Sequence, residues 1–169
     1  MGAATRSPRG VAARAGVPVR FAYERVEPTQ HWVQRVFRYD DRTDPFREPA
    51  AFDSLLRSAP LLERVAPRLD WLWSRPRDPA MPSTHFVMEA TSTLSLPPGT
   101  WTLRTLSDDA VRVWVDDRLV IDHFVPHETA PAYARISGGH HQVRVQYVQV
   151  RGWVALRLDV LRGAVRPSV

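Results

Sequence analysis

Residues 107–122 read SDDAVRVWVDDRLVID. In residues 111–115 valine alternates with one arginine and with Trp114, so the valines face one side of a strand and Trp114 faces the other. Asp116 and Asp117 separate this run from a second apolar run, and a two-residue turn requires a positive φ that aspartate tolerates better than most residues. The stretch therefore predicts a tight antiparallel β-hairpin.

The same alternation of apolar and polar side chains continues on both sides of the hairpin, through residues 86–160. The segments between the strands are too short for helical crossovers, so antiparallel pairing is expected. Residues 143–147 are expected to pair with residues 154–160. The predicted turns contain glycine, in two cases beside proline or arginine: Pro97, Pro98 and Gly99; Gly138 and Gly139; Arg151 and Gly152.

The N-terminal half contains shorter predicted strands. Residues 21–23, 32–39 and 69–73 are rich in aromatic, β-branched or large apolar residues, which favours extended structure. The fold class that follows is all-β, an antiparallel β-sandwich or barrel with one or two short helices in the N-terminal half.

Those helices are predicted around Pro60, where apolar residues show helical spacing on both sides of the proline. One short helix or two broken turns would fit, and Asp53 or Ser54 would cap the first. The apolar residues with this spacing are Phe52, Leu55, Leu56, Leu61, Leu62 and Val65.

Positive charge is concentrated at the two ends of the chain. All 23 basic residues are arginine, 18 residues are acidic, and the formal net charge is +5. Outside the arginine-bearing ends, residues 21–159 hold 17 arginines against 18 acids, which is not the basic surface of a nucleic-acid-binding protein. We predict a disordered arginine-rich leader over residues 1–20, one folded domain over residues 21–162 and a tail over residues 163–169.

Several function classes are excluded or disfavoured by missing residues and motifs. The chain has no cysteine, which excludes disulfides, thiolate zinc sites and cysteine nucleophiles. It has no glycine-flanked serine elbow and no phosphate-binding glycine loop, so we predict that it is not an enzyme. No stretch approaches the ~20 apolar residues of a membrane span, and no signal peptide is visible.

Residues 86–160 resemble the PA-fourteen family, which is named for a domain of a bacterial toxin's protective antigen and also occurs in glycosidases and yeast adhesins. Residues 97–101 resemble the family's proline-glycine turn before an aromatic residue, and residues 107–122 resemble its central hairpin. Residues 137–147 are similar to its late glycine turn and strand, and residues 153–160 to its closing strand.

The resemblance implies a β-sandwich that binds carbohydrate, in some members through a calcium ion held by adjacent hairpin aspartates, here Asp108 and Asp109. It also implies a location outside the cytoplasm. Two features depart from the calcium-binding members: this chain has no asparagine to supply the further ligand, and Ala110 stands where many members have glycine. The alternative is that the two carboxylates accept hydrogen bonds from backbone amides and brace the loop.

The loops around residues 107–110 and 124–133 are the predicted ligand surface, because loops at one end of a rigid sandwich commonly carry function. The predicted ligand-binding residues are Asp108, Asp109, Trp114 and His127, with the two aspartates as the metal ligands. Most of the six tryptophans are expected in the core, and Trp114 is the exception. A zinc site is not favoured, since neighbouring His140 and His141 would point to opposite faces of a strand.

The sequence thus predicts a non-catalytic module that binds carbohydrate or recognises a cell surface, with calcium as its candidate cofactor. A glycan or cell-wall polysaccharide would be the partner. The alternative is a structural or protein-interaction domain within a larger assembly or a multidomain parent chain, without sugar binding.

Overall fold

The computed structural model describes residues 31–76 and 78–164, and most of these residues lie in antiparallel strands. The prediction of an all-β sandwich is confirmed. No helix in this part of the chain has the length and apolar character needed to cross a membrane. The elements are β1 (Trp32–Arg38), α1 (Pro49–Leu56), β2 (Leu62–Ala66), β3 (Asp70–Trp73), β4 (Phe86–Asp108), β5 (Ala110–Val115), β6 (Arg118–His123), β7 (Ala130–Gln149) and β8 (Val154–Arg162).

Two long strands, β4 and β7, pair along nearly their whole lengths and contribute to both sheets. Residues 86–96 of β4 and 139–149 of β7 form the centre of the first sheet, whose order is β2-β1-β4-β7-β5-β6. Residues 100–108 of β4 and 130–137 of β7 belong to the second sheet, where β8 pairs with β4 on one side and with β3 on the other. The sandwich is therefore folded from two continuous bent strands.

Alternating side chains of both sheets fill one interior. Val113 of β5, Val145 of β7 and Leu156 of β8 belong to the same buried cluster, as the alternation predicts. Three tryptophans, one from each of β1, β3 and β4, are almost fully buried in it: Trp32, Trp71 and Trp101. The core therefore holds these rings away from any ligand.

Helix α1 covers part of the outer face of the first sheet. Pro49 lies in its first turn, where proline is tolerated, and Phe52 and Leu56, four residues apart, are its buried residues. These two side chains join a second cluster with Phe37 and Val87 of the sheet.

The prediction of helical turns after Pro60 is wrong, because residues 62–66 form β2 and pair with β1. Leu61 and Val65 are exposed, so their helical spacing does not correspond to a buried face. The prediction that Asp53 or Ser54 caps the helix is also wrong, since both lie inside α1 and Glu48 is the N-cap residue. Pairing with β1 outweighs the weak local preference for helix.

Two predicted turns are also wrong. The proline-glycine segment at residues 97–99 and the glycine pair at residues 138–139 lie inside continuous strands, where the register shifts between Leu96 and Thr100. The expected pairing of β7 with β8 is absent from the described strands, because β7 pairs with β4 and β5 instead. Residues in these two strands share the core without sharing hydrogen bonds.

The central hairpin is confirmed, with φ of 50° at Asp116 and 62° at Asp117. Residues 32–38 and 70–73 are strands as predicted. The predicted leader, the predicted strand at residues 21–23 and most of the predicted tail lie outside the described residues.

Candidate functional site

Three connections between the sheets meet at one end of the sandwich. The chain passes from β4 to β5 at Asp109, from β6 to β7 through residues 124–129, and from β7 to β8 through residues 150–153. Together they border an open cleft of about 790 Å³. Its lining residues are His85, Asp108, Asp109, Pro126, His127, Glu128, Val150, Arg151, Gly152 and Trp153.

Asp108 and Asp109 lie at the point where the chain leaves the second sheet for the first. The peptide bond between them is cis. The Asp108 carboxylate accepts a hydrogen bond from Thr129 Oγ1 at 2.8 Å, and the Asp109 carboxylate accepts one from the Val150 amide at 2.8 Å. Each aspartate therefore ties its own loop to a neighbouring connection while lining the cleft.

The cleft carries closely spaced negative charge. Burial raises the pKa of the Asp109 carboxyl, hydrogen bonds from the Val150 and Arg151 backbone oppose that shift, and the neighbouring charge of Asp108 adds to it. An ion or ligand that supplies positive charge at this position would stabilise the ionised carboxylate.

Tyr147, in the core, contacts the backbone of the site. Its buried hydroxyl lies between the Asp108 carbonyl oxygen and the Gln149 side-chain oxygen, within hydrogen-bonding distance of both. Burial raises the pKa of Tyr147, and the charges of Asp109 and Asp108 raise it further, so the phenol stays protonated and able to donate. The carbonyl of Asp108 is thus held by a rigid core side chain.

His127 forms one wall of the cleft. Its ring stacks on His123 with centroids 3.7 Å apart and an interplanar angle of 8°. Its Nε2 lies 3.5 Å from Ser107 Oγ, and its Nδ1 lies 2.7 Å from the Glu128 carbonyl oxygen. Burial, followed by the nearby His127, lowers the pKa of His123, which favours a neutral imidazole in the pair.

Trp153 at the rim is the residue that sequence reasoning missed. Its side chain is 46% exposed, and it precedes β8 instead of lying within the closing strand. The sequence carries no signal that separates these two positions, because Trp153 follows the predicted turn at Arg151 and Gly152 in either case.

Trp114, the tryptophan that the sequence singled out, lies elsewhere. It is on the outer face of the first sheet, beside Arg144, whose guanidinium lies 3.7 Å from the ring centroid. Asp108, Asp109 and His127 line one cleft, whereas Trp114 is not among its lining residues.

Metal binding at Asp108 and Asp109 would need help from the ligand. Calcium takes six to eight oxygen ligands, and the two carboxylates supply only part of that number. Among the described residues, no three histidine, aspartate or glutamate side chains are grouped to hold an ion. His140 is hydrogen-bonded to Ser95 and His141 to Asp116, and neither lines the cleft that His127 lines.

The solved structures that are similar to this chain include the three that follow. A PA14 sugar-binding domain from an RTX adhesin gives a TM-score of 0.64 at 18% identity, over 82% of this chain and 94% of that one. An anti-sigma factor domain-containing protein gives 0.64 at 18% identity, over 80% of this chain but only 44% of its own length. An epithelial adhesin A domain from Candida glabrata, in complex with beta-lactose, gives 0.58 at 9% identity, over 81% of each chain.

At these identities the similarity establishes a shared fold and nothing about ligands. No curated protein sequence gives a significant match. The sequence of residues 52–164, which is more than half of the chain, matches the PA14 domain. With its bent double-sheet sandwich and its adjacent aspartates at the junction of β4 and β5, the chain belongs to the PA14 (PA-fourteen) domain family.

Proposed function

We propose that the cleft at the crossover end binds carbohydrate, that calcium assists at Asp108 and Asp109, and that the module does no chemistry of its own. The observation that carries this proposal is the convergence of paired carboxylates, His127 and a half-exposed tryptophan in one open cleft. The solved adhesin domains with this fold, one described as sugar-binding and one in complex with beta-lactose, support it. Those domains also support a location outside the cytoplasm.

The chemistry of the cleft suits a sugar. Hydroxyl groups can complete the oxygen shell of a calcium ion that the two carboxylates begin. The exposed ring of Trp153 offers an apolar face to the apolar face of a pyranose, while His127 and Glu128 add polar contacts at the wall. Calcium would also offset the negative charge that burial concentrates at Asp109.

The direct experiment is glycan-array binding of the full chain with calcium and with chelator, followed by calorimetry on the best glycan. Trp153→Ala should weaken binding by about five- to tenfold, because a stacked ring contributes about 1–1.4 kcal/mol. Trp114→Ala is the matched control and should leave affinity unchanged. Failure to bind any glycan in either condition would refute the proposal, and loss of binding only in Trp114→Ala would move the site to the outer sheet face.

A second function is favoured by one specific observation: both aspartates already accept hydrogen bonds within the protein. In that case the hairpin loop is a brace, and the domain serves as a structural or protein-interaction part of a larger assembly. Asp108→Ala separates the two proposals. The brace predicts a lower melting temperature with unchanged partner affinity, whereas the sugar site predicts loss of calcium-dependent glycan binding.

A further inference from the structure

A second cleft, of about 430 Å³, lies beside β2 and β3 and the loop that follows β3. None of its lining residues lines the crossover cleft. Those that bear on ligand binding are Arg64, Asp70, Trp73, Asp78, Met81 and Arg157.

Two of the charged groups neutralise each other. Arg157 donates from Nε and Nη2 to the two oxygens of Asp70, at 3.1 and 3.0 Å. This bidentate pair forms one wall of the cleft, and its two opposite charges cancel.

The other two charged groups are of opposite sign but do not touch. Arg64 donates from Nε to Gln34 Oε1 at 2.9 Å and packs 4.8 Å from the centroid of Trp71. Asp78 accepts one hydrogen bond, from the Ala80 amide at 2.9 Å. Among the described residues, no carboxylate lies within 4 Å of the Arg64 nitrogens and no cation lies within 4 Å of Asp78. Both residues therefore line the cleft without forming an ion pair with each other, although the charge of Asp78 acts on Arg64.

Trp73 adds an unpaired donor. Its indole nitrogen is buried and has no hydrogen-bond partner among the described residues. The ring is tilted against Trp71, with centroids 4.9 Å apart and an angle of 36°. A buried donor without an acceptor is energetically unfavourable. If the wall of the cleft shifted slightly, a ligand oxygen could accept a hydrogen bond from this nitrogen and remove that penalty.

We propose that this cleft is a second binding site, which takes a neutral polyhydroxylated ligand the size of one monosaccharide. Among the described residues that line the cleft, two arginines and two aspartates balance in charge, which favours a neutral ligand over an anionic or cationic one. Arginine can only donate and an ionised aspartate can only accept, whereas a hydroxyl does both, so neighbouring hydroxyls of one sugar match Arg64 and Asp78 together. Buried Met81 supplies an apolar floor for the ring carbons. This inference does not rest on the proposed function, since the two clefts share no residue.

The experiment uses the indole N–H signals of the full, ¹⁵N-labelled chain, titrated separately with D-glucose, D-galactose and D-mannose. Trp73→Phe assigns the Trp73 signal. We expect at least one sugar to move that signal, with a Kd on the order of millimolar as befits so small a ligand.

Three variants test the assignment. Asp78→Asn keeps the acceptor for the Ala80 amide but loses the charge, and it should weaken sugar binding by about tenfold. Trp73→Phe should also weaken binding, measured by calorimetry, because the ligand then has no indole donor to accept from. The matched control is Asp117→Asn, in the exposed hairpin turn, which should bind as the unmodified chain does.

The two clefts can fail independently. If Asp109→Asn abolishes glycan binding while the Trp73 signal still moves with the monosaccharide, both sites stand as described. The second site is overturned if no monosaccharide moves the Trp73 signal, or if Asp78→Asn binds normally. Binding of D-glucuronate in place of the neutral sugars would also overturn it, because the site would then be selective for anions.

Discussion

Asp109 gives a prediction that belongs to a single carboxyl group. Burial raises its pKa above the ordinary 3.8 of the unfolded chain. As pH falls from about 7 through the raised pKa, the folded protein takes up a proton that the unfolded chain does not yet bind, so this group makes folding more favourable as pH falls toward about 4. Asp109→Asn removes this dependence and keeps an acceptor for the Val150 amide.

The measurement is a set of thermal melts of both proteins in calcium-free buffer. The advantage in melting temperature of Asp109→Asn over the unmodified chain should be largest near pH 7 and should shrink as pH falls toward about 4. Parallel pH profiles would show that Asp109 is not held in an unfavourable ionised state.

Residue chemistry alone predicted part of the candidate site, namely three of the residues that the structure places in the cleft. Asp108, Asp109 and His127 are polar residues in segments that interrupt the alternation, and such segments lie at strand ends. Trp153 could not be found in this way, because an aromatic residue beside apolar alternation has the same pattern whether it starts a strand or precedes one. Only the structure shows that Trp153 lies in the connection before β8 and lines the cleft.

The central hairpin yields a prediction at the scale of an element. Both turn residues have positive φ, yet only Asp116 uses its side chain, which accepts from the Gln142 amide at 2.9 Å and pairs with His141 at 2.7 Å. Asp117→Gly should therefore stabilise the fold by about 0.5 kcal/mol, since glycine adopts this conformation without steric cost. Asp116→Gly, its matched control, should destabilise because those contacts are lost. Chemical denaturation of the two variants tests this, and equal shifts of both would contradict it.

The irregular segment shared by β4 and β7 depends on Gly138. A Cβ on Gly138 would lie 2.1 Å from the Pro97 carbonyl oxygen, where the irregular segments of the two strands face each other. Gly138→Ala should therefore cost about 2–4 kcal/mol, because backbone must move. Gly163→Ala is the control: its φ is 93° but it has open space, so it should cost about 1–2 kcal/mol from conformation alone. Similar unfolding midpoints for the two variants would show that the close approach is not limiting.

Strand positions and strand partners were predictable to different degrees. The alternation of apolar and polar residues predicted the positions of β5, β6 and β8, because each strand has one face toward the apolar interior. Alternation does not reveal which strand lies next to which, and the glycines at residues 99 and 138–139 favour hairpin turns and bulges equally. The pairing of β4 with β7 over both halves is a property of the whole chain, since it depends on contacts between residues 23 to 63 positions apart.

At the scale of the molecule, these two strands make the sandwich one unit, since neither sheet can unfold without disrupting strands of the other. Leu94 and Leu103 test this: both are fully buried in the same cluster, but Leu94 pairs in the first sheet and Leu103 in the second. Each change to alanine should cost about 2–5 kcal/mol. Far-UV circular dichroism and tryptophan fluorescence should still report one coincident, downshifted transition for each variant. Two separated transitions in either variant would mean that the sheets unfold independently despite their shared strands.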